Sequence, residues 1–199
     1  MNPIDPRVIE LHGIMPIAHL ASVIEHGILS RARAERLRRP PAMLKVDPDG
    51  RDAQSVPRGR RLNEYARLYF HAGNPTLFER QGEAAGLCVL RVSTEVLELP
   101  GTVITDGDAS SDYVRCLSPS QSEVLDFDDI YSVDWWHPGD LARGFQHRYR
   151  KCAEVLVPDR VEPRFLNGAY VVDSDAAGLV TGWGAGLPIE VAPSLFGGE

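Results

Sequence analysis

Near the N-terminal end of the chain, apolar residues recur at the three- and four-residue spacing of an amphipathic helix. Gly27 follows them at the position where helices commonly end with a glycine cap. This pattern predicts a helix that stops at Gly27. Its apolar positions are Ile17, Leu20, Val23 and Ile24.

Further along the chain, short runs of β-branched and aromatic residues are bounded by Gly, Pro, Asn and Asp, which is the pattern of short strands. Between them, Asn74 and Pro75 have the N-cap and first-turn character of a short helix. Strands and helices do not alternate regularly, so the pattern predicts an α+β domain and not a doubly wound sheet. The predicted strands cover residues 65–70, 86–93, 101–106, 153–161 and 167–173.

A long polar segment precedes the first of these strands. Residues 32–39 (ARAERLRR) predict a second, basic helical piece that stops at Pro40 and Pro41. Residues 46–64 (VDPDGRDAQSVPRGRRLNE) are then rich in charge, Pro and Gly, which predicts a surface loop. Loops of this length are uncommon in compact domains unless they have a function.

Length and composition indicate a single domain, residues 1–199. A chain of 199 residues with 43% hydrophobic content is long enough to bury one substantial core. The segment at about 178–199, rich in Gly, Ala and Pro, is a weakly specified tail. The sequence has no signal peptide and no run of roughly 20 apolar residues, which predicts a soluble, cytoplasmic protein.

Several common kinds of site are not supported by the sequence. Cys88, Cys116 and Cys152 form no CxxC or CxxH pair, which argues against a zinc site and a disulfide framework. Residues 106–112 (DGDASSD) lack the glycine position and the downstream glutamate of a calcium loop, which favours an Asx turn and a helix cap. No GxGxxG, GxxxxGK[ST] or GxSxG motif occurs. We therefore expect no metal and none of the common phosphate-binding loops.

The charge of the chain is unevenly distributed. The net charge is -7, but residues 31–80 hold twelve Lys or Arg and only six acidic residues. A local excess of positive charge can attract phosphates even on an acidic protein. Two interpretations of this segment stay open: a surface that binds nucleic acid, or a solvated helix followed by a loop.

Three residues in separate segments carry candidate chemistry. Glu154 begins the apolar run EVLVP, His12 precedes a glycine near the N-terminus, and Tyr69 lies in the predicted strand at 65–70. Each also has a purely structural interpretation: a solvated acid at a strand end, a core histidine and a half-buried aromatic. Together they resemble the His, Tyr and Glu that bind NAD from three separate strands in the ADP-ribosyltransferase fold.

Four longer segments resemble one family with that fold, the DarT family of bacterial toxins. The segments LHGIMPIAHLASVIEHGILS, VPRGRRLNEYARLYFHAGNPTLF, VITDGDASSDYVR and KCAEVLVPDRVEPRFLNGAYV occur in the family's order over residues 8 to about 172. The resemblance implies an α+β fold in which short helices flank a split, mostly antiparallel central sheet. It also implies an enzyme that transfers ADP-ribose from NAD to a base, guanine or thymine, of single-stranded DNA, and a macrodomain antitoxin as its partner.

The resemblance further assigns roles to individual residues. Glu154 is expected to be the catalytic glutamate, because a carboxylate stabilises the positive charge that develops on the ribose when a glycosidic bond breaks. Arg51, in the polar loop, is expected to be the catalytic arginine, since its fork suits a pyrophosphate or a base carbonyl. Tyr69 is expected to pack beside the nicotinamide. The NAD-binding positions are His12, Gly13, Ile14, Tyr69 and Arg51.

A basic rim around Glu154 is the expected DNA-binding surface. Single-stranded nucleic acid is bound through its backbone charge and through base stacking, and both require exposed groups. The arginines between positions 31 and 39 belong to this expectation. The main candidates are Arg58, Arg60, Arg61, Arg148, Arg150 and Lys151.

Departures from the family pattern leave alternatives open. Met15 stands where a threonine is common and Gly73 where an arginine is common, and either His12 or Gly13 occupies the family's histidine position. One alternative is a catalytically weakened module that binds NAD or DNA. Another is transfer of ADP-ribose to RNA or protein, because an NAD site does not dictate the acceptor.

Overall fold

A computed structural model gives the structure of residues 4–37, 54–57, 59–133, 137, 139–183 and 186–197. These residues include ten strands, most of them in one large sheet. The strands are β1 (Leu11–Pro16), β2 (Ile28–Leu29), β3 (Tyr65–Tyr69), β4 (Leu87–Val92), β5 (Val103–Thr105), β6 (Cys116–Leu117), β7 (Glu154–Pro158), β8 (Arg160–Val161), β9 (Leu166–Val171) and β10 (Ile189–Val191).

The large sheet has the strand order β10-β9-β4-β1-β3-β7-β5-β6, and β2 pairs with β8 in a separate two-stranded sheet. Neighbouring strands are antiparallel except β9 and β10, which are parallel. The fold is therefore α+β with a mostly antiparallel central sheet, as the sequence predicts.

The sheet is split between β1 and β3. On one side of the split, all six residues of β1 pair with β4, and on the other side all five residues of β3 pair with β7. Across the split, a single pair is in register among the described residues, His12 with Tyr69. The two halves of the sheet thus meet at two of the candidate site residues.

The two faces of the sheet differ in chemistry because successive side chains of a strand point to opposite faces. Leu68 of β3, Phe70 directly after β3, and Val155 and Val157 of β7 are buried in the main hydrophobic core. The alternate positions place Arg67, Tyr69 and Glu154 on the opposite face. A second, smaller apolar cluster, which includes Ile14 and Leu77, lies against Tyr69.

Short helices flank the sheet, and several begin with a side-chain cap. Asn74 accepts hydrogen bonds from the backbone N–H groups of Thr76 and Leu77, which confirms its predicted capping role. Gly27 ends the N-terminal helix with φ of 85°, a backbone angle that favours glycine. The helices are α1 (Leu20–His26), α2 (Arg31–Ala34), α3 (Pro75–Phe78), α4 (Phe127–Tyr131), α5 (Leu141–Lys151) and α6 (Ser174–Gly182).

Most of the elements predicted from the sequence are present, with somewhat different bounds; of the polar loop predicted at residues 46–64, only residues 54–57 and 59–64 are described. The N-terminal helix begins as a 3₁₀ turn, Ile17–His19, that leads into α1. The basic helical piece is α2, which Ser30 caps by accepting from the backbone N–H of Arg33; residues beyond 37 in that segment lie outside the described part of the chain. The predicted strands correspond to β3, β4, β5, β7 with β8, and β9.

The C-terminal segment takes part in the sheet. β10 pairs with β9, and Phe196, which follows it in a 3₁₀ turn, is buried in the smaller cluster with Ile14. Among the described residues, no helix is both long enough and apolar enough to cross a membrane.

Candidate active site

Glu154, the first residue of β7, lies at the centre of the candidate site. Its side chain is fully buried, at 0% exposure of the residue, so a solvated acid at a strand end is not what the structure contains. Its backbone N–H donates to Thr105 Oγ1 at 3.0 Å, which ties the start of β7 to β5. The carboxylate is therefore held at the end of a rigid strand inside the protein.

Arg67 of β3 binds both oxygens of this carboxylate. Its Nε donates to Oε2 of Glu154 at 2.6 Å and its Nη2 donates to Oε1 at 2.7 Å, which is the bidentate geometry of strong charge-assisted hydrogen bonds. Burial alone lowers the pKa of Arg67, but the adjacent Glu154 carboxylate outweighs it, so the pKa of this guanidinium lies well above its ordinary value. The pair is a charge-neutral unit in a poorly solvated place.

The turn after β5 completes the contacts of Glu154. The backbone N–H of Ala109 donates to Oε1 at 3.0 Å, and Asp108 lies 3.3 Å from Arg67 Nη2. Asp108 also accepts from the backbone N–H of Ser110, so this turn is the predicted Asx turn. The predicted helix cap is wrong, because the described residues 106–115 form turns and the next element is β6. In the part of the chain that the structure describes, no cluster of His, Cys, Asp and Glu could hold a metal ion.

The donors to Glu154 in the described part of the chain leave one acceptor position of its carboxylate open. A carboxylate offers about four lone-pair positions. Among the residues that the structure describes, two donors occupy Oε1, namely Arg67 Nη2 and Ala109 N, whereas Oε2 accepts from Arg67 Nε alone. A further donor would therefore bind at Oε2.

His12, Tyr69 and Glu154 form a row across three neighbouring strands. His12 of β1 is in register with Tyr69 of β3, and Tyr69 is in register with Glu154 of β7. Directly opposed residues of antiparallel strands have side chains on the same face, about 5 Å apart. The three candidates that come from distant parts of the sequence are thus brought together.

Tyr69 is anchored beside Glu154. Its hydroxyl donates to Thr76 Oγ1 at 3.2 Å, which links β3 to α3. Burial, followed by the nearby Glu154 carboxylate, raises the pKa of Tyr69, so its hydroxyl stays protonated at neutral pH. Its ring is a neutral surface of the site.

The structure distinguishes His12 from Gly13. His12 shares the face of Tyr69 and Glu154, and Ile14, two residues later, lies on that face as well. Gly13 and Met15 point to the other face; a Cβ atom at Gly13 would lie 3.2 Å from Ile28 Cδ1 and 3.5 Å from Leu68 Cδ2. His12 therefore occupies the histidine position of the row, and Met15 is a core residue.

The expected basic rim is only partly present as predicted. Arg51 and Arg58 lie outside the described residues. Arg60 and Arg61 are exposed, and within the described ranges neither guanidinium forms an ion pair. Both stay candidates.

The three basic residues that precede Glu154 are engaged within the protein. Arg148 binds Glu79, and Arg150 binds Asp126 and Asp129. Lys151 is 1% exposed and donates to the carbonyls of Ile130 and Ser132 at 3.2 and 2.6 Å. The prediction that Lys151 contributes to an exposed DNA-binding rim is therefore wrong, because its ammonium group lies in the interior.

Arg67 is a site residue that was not predicted among the catalytic or NAD-binding positions; from the sequence, its one interpretation is as a substitute for the arginine that Gly73 replaces. The sequence does contain an indication that Arg67 has a special position: it is a charged residue inside YARLYF, a run that is otherwise apolar or aromatic. A charge within a central strand requires a partner of opposite charge, and Glu154 is the matching acid in another apolar run.

Comparisons with known proteins identify the family of the chain. Residues 12–197 match the family described as "ssDNA thymidine ADP-ribosyltransferase, DarT". A DNA ADP-ribosyl transferase-DNA ADP-ribosyl glycohydrolase fusion protein of Thermosipho africanus is 32% identical in an alignment of 183 residues that covers 86% of this chain and 45% of that protein. The chain thus spans about half the length of this curated relative.

Solved structures resemble the fold as well. Thermosipho africanus DarTG in complex with ADP-ribose has a TM-score of 0.77 at 27% identity, over 94% of this chain and 50% of that one. Thermus sp. 2.9 DarT in complex with ADP-ribosylated ssDNA has a TM-score of 0.78 at 16% identity, over 98% and 99% of the two chains. The same DarT in complex with NAD+ has a TM-score of 0.75 at 17% identity, over 96% and 98%.

Because the family match covers nearly all of the sequence, and because the row of His12, Tyr69 and Glu154 crosses the split of the sheet, this chain belongs to the DarT family and has its ADP-ribosyltransferase fold.

Proposed function

We propose that this chain is an NAD-dependent enzyme that transfers ADP-ribose to a base of single-stranded DNA. The observation that carries the proposal is the row of His12, Tyr69 and Glu154, with a buried carboxylate that Arg67 and Ala109 orient. A histidine, an aromatic ring and an oriented carboxylate along one line suit a dinucleotide that lies across the split of the sheet.

Glu154 has two tasks in the proposed reaction. The bond between the ribose C1 atom and the nicotinamide nitrogen breaks, nicotinamide leaves with the electron pair, and positive charge develops on the ribose. A ribose hydroxyl that donates to Oε2 of Glu154 places the carboxylate where it stabilises this charge. The base nitrogen then bonds to C1, and its proton passes to the same carboxylate.

The substrate can reach the Glu154 carboxylate only if the side chain of Arg67 moves. Its side chain is 1% exposed and that of Arg67 is 25% exposed, so a substrate meets the guanidinium before it meets the carboxylate. A ribose hydroxyl reaches the open position of Oε2 when Arg67 shifts while its guanidinium stays paired with the carboxylate. We therefore place Arg67 in the catalytic machinery together with Glu154.

Thymine is the base that we propose as acceptor. The sequence left guanine and thymine open, and the description of the matching family names thymidine. A nitrogen inside a base-paired stack is inaccessible, so a single strand is the substrate that this chemistry requires.

The proposed biological setting is a toxin that acts in the cytoplasm and is countered by a partner that removes the modification. The curated relative joins a DNA ADP-ribosyl transferase to a DNA ADP-ribosyl glycohydrolase in one protein. A glycohydrolase with the macrodomain fold, on the same or a separate chain, is the partner that we propose here.

The test incubates the purified chain with NAD labelled in the adenylate half and four acceptors in parallel: single-stranded DNA, the same DNA as duplex, single-stranded RNA and total protein. We expect label on single-stranded DNA alone, with release of nicotinamide in equal amount. Oligonucleotides that lack thymine or lack guanine identify the base. Label on RNA or protein would replace the proposed acceptor, and label on none of them would leave the weakened-module alternative.

Glu154→Gln is the matched control because it retains the shape of the side chain. It should abolish transfer while the far-ultraviolet circular dichroism spectrum stays unchanged. Retained transfer would remove Glu154 from the mechanism.

A further inference from the structure

A second buried carboxylate lies on the same face of the sheet as Glu154. Glu10, immediately before β1, is 8% exposed and is surrounded by donors. Its Oε1 lies 3.3 Å from Nε2 of His12 and accepts from Tyr170 Oη at 2.8 Å, and its Oε2 accepts from Arg91 Nε at 2.8 Å. The residue therefore connects β1, β4 and β9 directly behind the row.

The protonation state of Glu10 is well defined. Burial raises its pKa, but hydrogen bonds from His12, Arg91 and Tyr170 outweigh that effect and lower the pKa to about 2. Glu10 is thus a carboxylate at neutral pH, and a carboxylate can only accept hydrogen bonds.

The negative charge of Glu10 fixes the tautomer of the His12 imidazole. An ionised acceptor opposite Nε2 requires that Nε2 carries the proton. In the neutral ring, Nδ1 is then a bare acceptor. Nδ1 is buried and has no hydrogen-bond partner among the described residues. Buried polar atoms without a partner are rare, and an orphaned acceptor at a candidate site calls for a donor from a ligand.

We propose that Glu10 is a positioning residue, which holds His12 in the Nε2–H tautomer so that Nδ1 accepts a hydrogen bond from a ribose hydroxyl of NAD. This inference rests on the proposed function for the identity of the ligand. Arg91 keeps the Glu10 carboxylate in place, stacks its guanidinium over the Tyr170 ring at 4.8 Å, and reaches Glu190 of β10 at 3.4 Å. The edge of the sheet thereby supports the histidine of the row.

Glu10→Gln tests the proposal because the carboxamide has one acceptor and one donor group. Arg91 can only donate, so the carboxamide oxygen of the variant turns to Arg91 and its NH₂ group faces His12. His12 then offers Nε2 as acceptor and carries its proton on Nδ1. The variant therefore reverses the tautomer, while the size of the side chain is unchanged.

The first measurement is nitrogen-15 NMR of the histidine rings at neutral pH without NAD, with the His12 signals assigned from a His12→Gln variant. We expect the Nε2–H tautomer in the unaltered protein and the Nδ1–H tautomer in Glu10→Gln. Tyr170→Phe removes one donor from Glu10 without removing its charge and should keep the Nε2–H tautomer. A protonated Nδ1 in the unaltered protein would overturn the proposal without any variant.

The second measurement is NAD binding by calorimetry. Glu10→Gln should weaken NAD binding by about tenfold, which is the loss of one hydrogen bond. The control variant is Glu98→Gln, which replaces an exposed carboxylate shortly before β5. This variant should bind NAD as tightly as the unaltered protein does. A reversed tautomer with unchanged NAD affinity would overturn the role of Nδ1 in binding. If the proposed function itself were wrong, the result would be different: the unaltered protein would not bind NAD, while the tautomers of His12 would still be the expected ones.

Discussion

Arg67 and Glu154 form a bidentate ion pair across β3 and β7, with donor–acceptor distances of 2.6 and 2.7 Å. A second arginine–glutamate pair lies on the other side of the split, where Arg91 of β4 donates a single hydrogen bond to Glu10 at 2.8 Å. Each buried carboxylate on this face is thus held by an arginine from the neighbouring strand. The Arg67–Glu154 pair orients the proposed catalytic oxygen. The Arg91–Glu10 pair orients His12, which faces the same ligand.

Arg67→Lys should lower kcat by on the order of a hundredfold, the typical effect of removing one oriented donor from an active site. Lysine keeps the positive charge but cannot bind both carboxylate oxygens in a fixed plane, so Glu154 loses its orientation. The measurement is single-turnover transfer to single-stranded DNA at saturating NAD.

Arg164→Lys is the control for this prediction, since Arg164 forms an ion pair with the partly exposed Glu162 at 3.2 Å. It should leave kcat unchanged. If Arg67→Lys were equally active, the bidentate geometry would have no catalytic role.

Tyr69→Phe and Tyr69→Ala separate the ring of Tyr69 from its hydroxyl. The hydroxyl already donates to Thr76 of α3 at 3.2 Å, so its loss should cost about 1 kcal/mol of stability and leave the KM for NAD within about twofold. Tyr69→Ala removes the ring surface itself and should raise KM at least about tenfold. Thermal unfolding and initial rates distinguish the two, and a large effect of Tyr69→Phe on KM would show that NAD contacts the hydroxyl.

Local rules predicted much of the fold. The apolar periodicity of α1, the cap at Asn74 and the β-branched runs of β4 and β7 each follow from short-range chemistry. Helix α5 was not predicted, and its composition explains why: its buried positions are His147 and Lys151, whereas Leu141 and Phe145 are exposed. A helix that buries polar side chains shows no apolar stripe.

The candidate site, in contrast to these elements, was predicted from the family resemblance and not from local patterns. His12, Tyr69 and Glu154 could be connected through family resemblance, but no local pattern indicates that distant residues are in register. The partners of the row, Arg67 and Glu10, depend on strand pairing across the sheet, which a single sequence does not specify. Lys151 was misplaced for the same reason, because a basic run gives no sign of which member turns inward.

Glu10 should make stability depend on pH in acid. Its pKa is about 2 in the folded protein against an ordinary value of 4.5, so the unfolded chain takes up the proton first as the pH falls. The stabilisation is complete above about pH 4.5 and is lost as the pH falls towards 2. The shift corresponds to about 3 kcal/mol at 1.36 kcal/mol per pKa unit. Urea unfolding of the unaltered protein and Glu10→Gln should converge between pH 4.5 and 2, and parallel curves would contradict the assignment.

Lys151 should make stability depend on pH in the alkaline range. Burial lowers its pKa to about 8, from an ordinary value of 10.5, so between these values the unfolded chain holds the proton more tightly. Stability should therefore rise from pH 8 to 10.5 by up to about 1.4 kcal/mol per pH unit from this residue. Lys151→Met removes that rise and leaves DNA affinity unchanged. A loss of DNA affinity would restore Lys151 to the binding surface.

Arg60 and Arg61 should carry part of the salt dependence of DNA binding. Both are exposed, and each phosphate contact on a single strand contributes roughly 0.7 to the slope of log affinity against log salt, because counterions are released. Replacing both by alanine should therefore flatten the slope by roughly 1.4. The measurement is fluorescence anisotropy of a labelled oligonucleotide in the Glu154→Gln background, in which the strand is not modified. Arg148→Ala is the comparison: Glu79 already neutralises Arg148, so the slope should not change. If Arg148→Ala flattened the slope and the double variant did not, the DNA-binding surface would lie on the α5 side of Glu154.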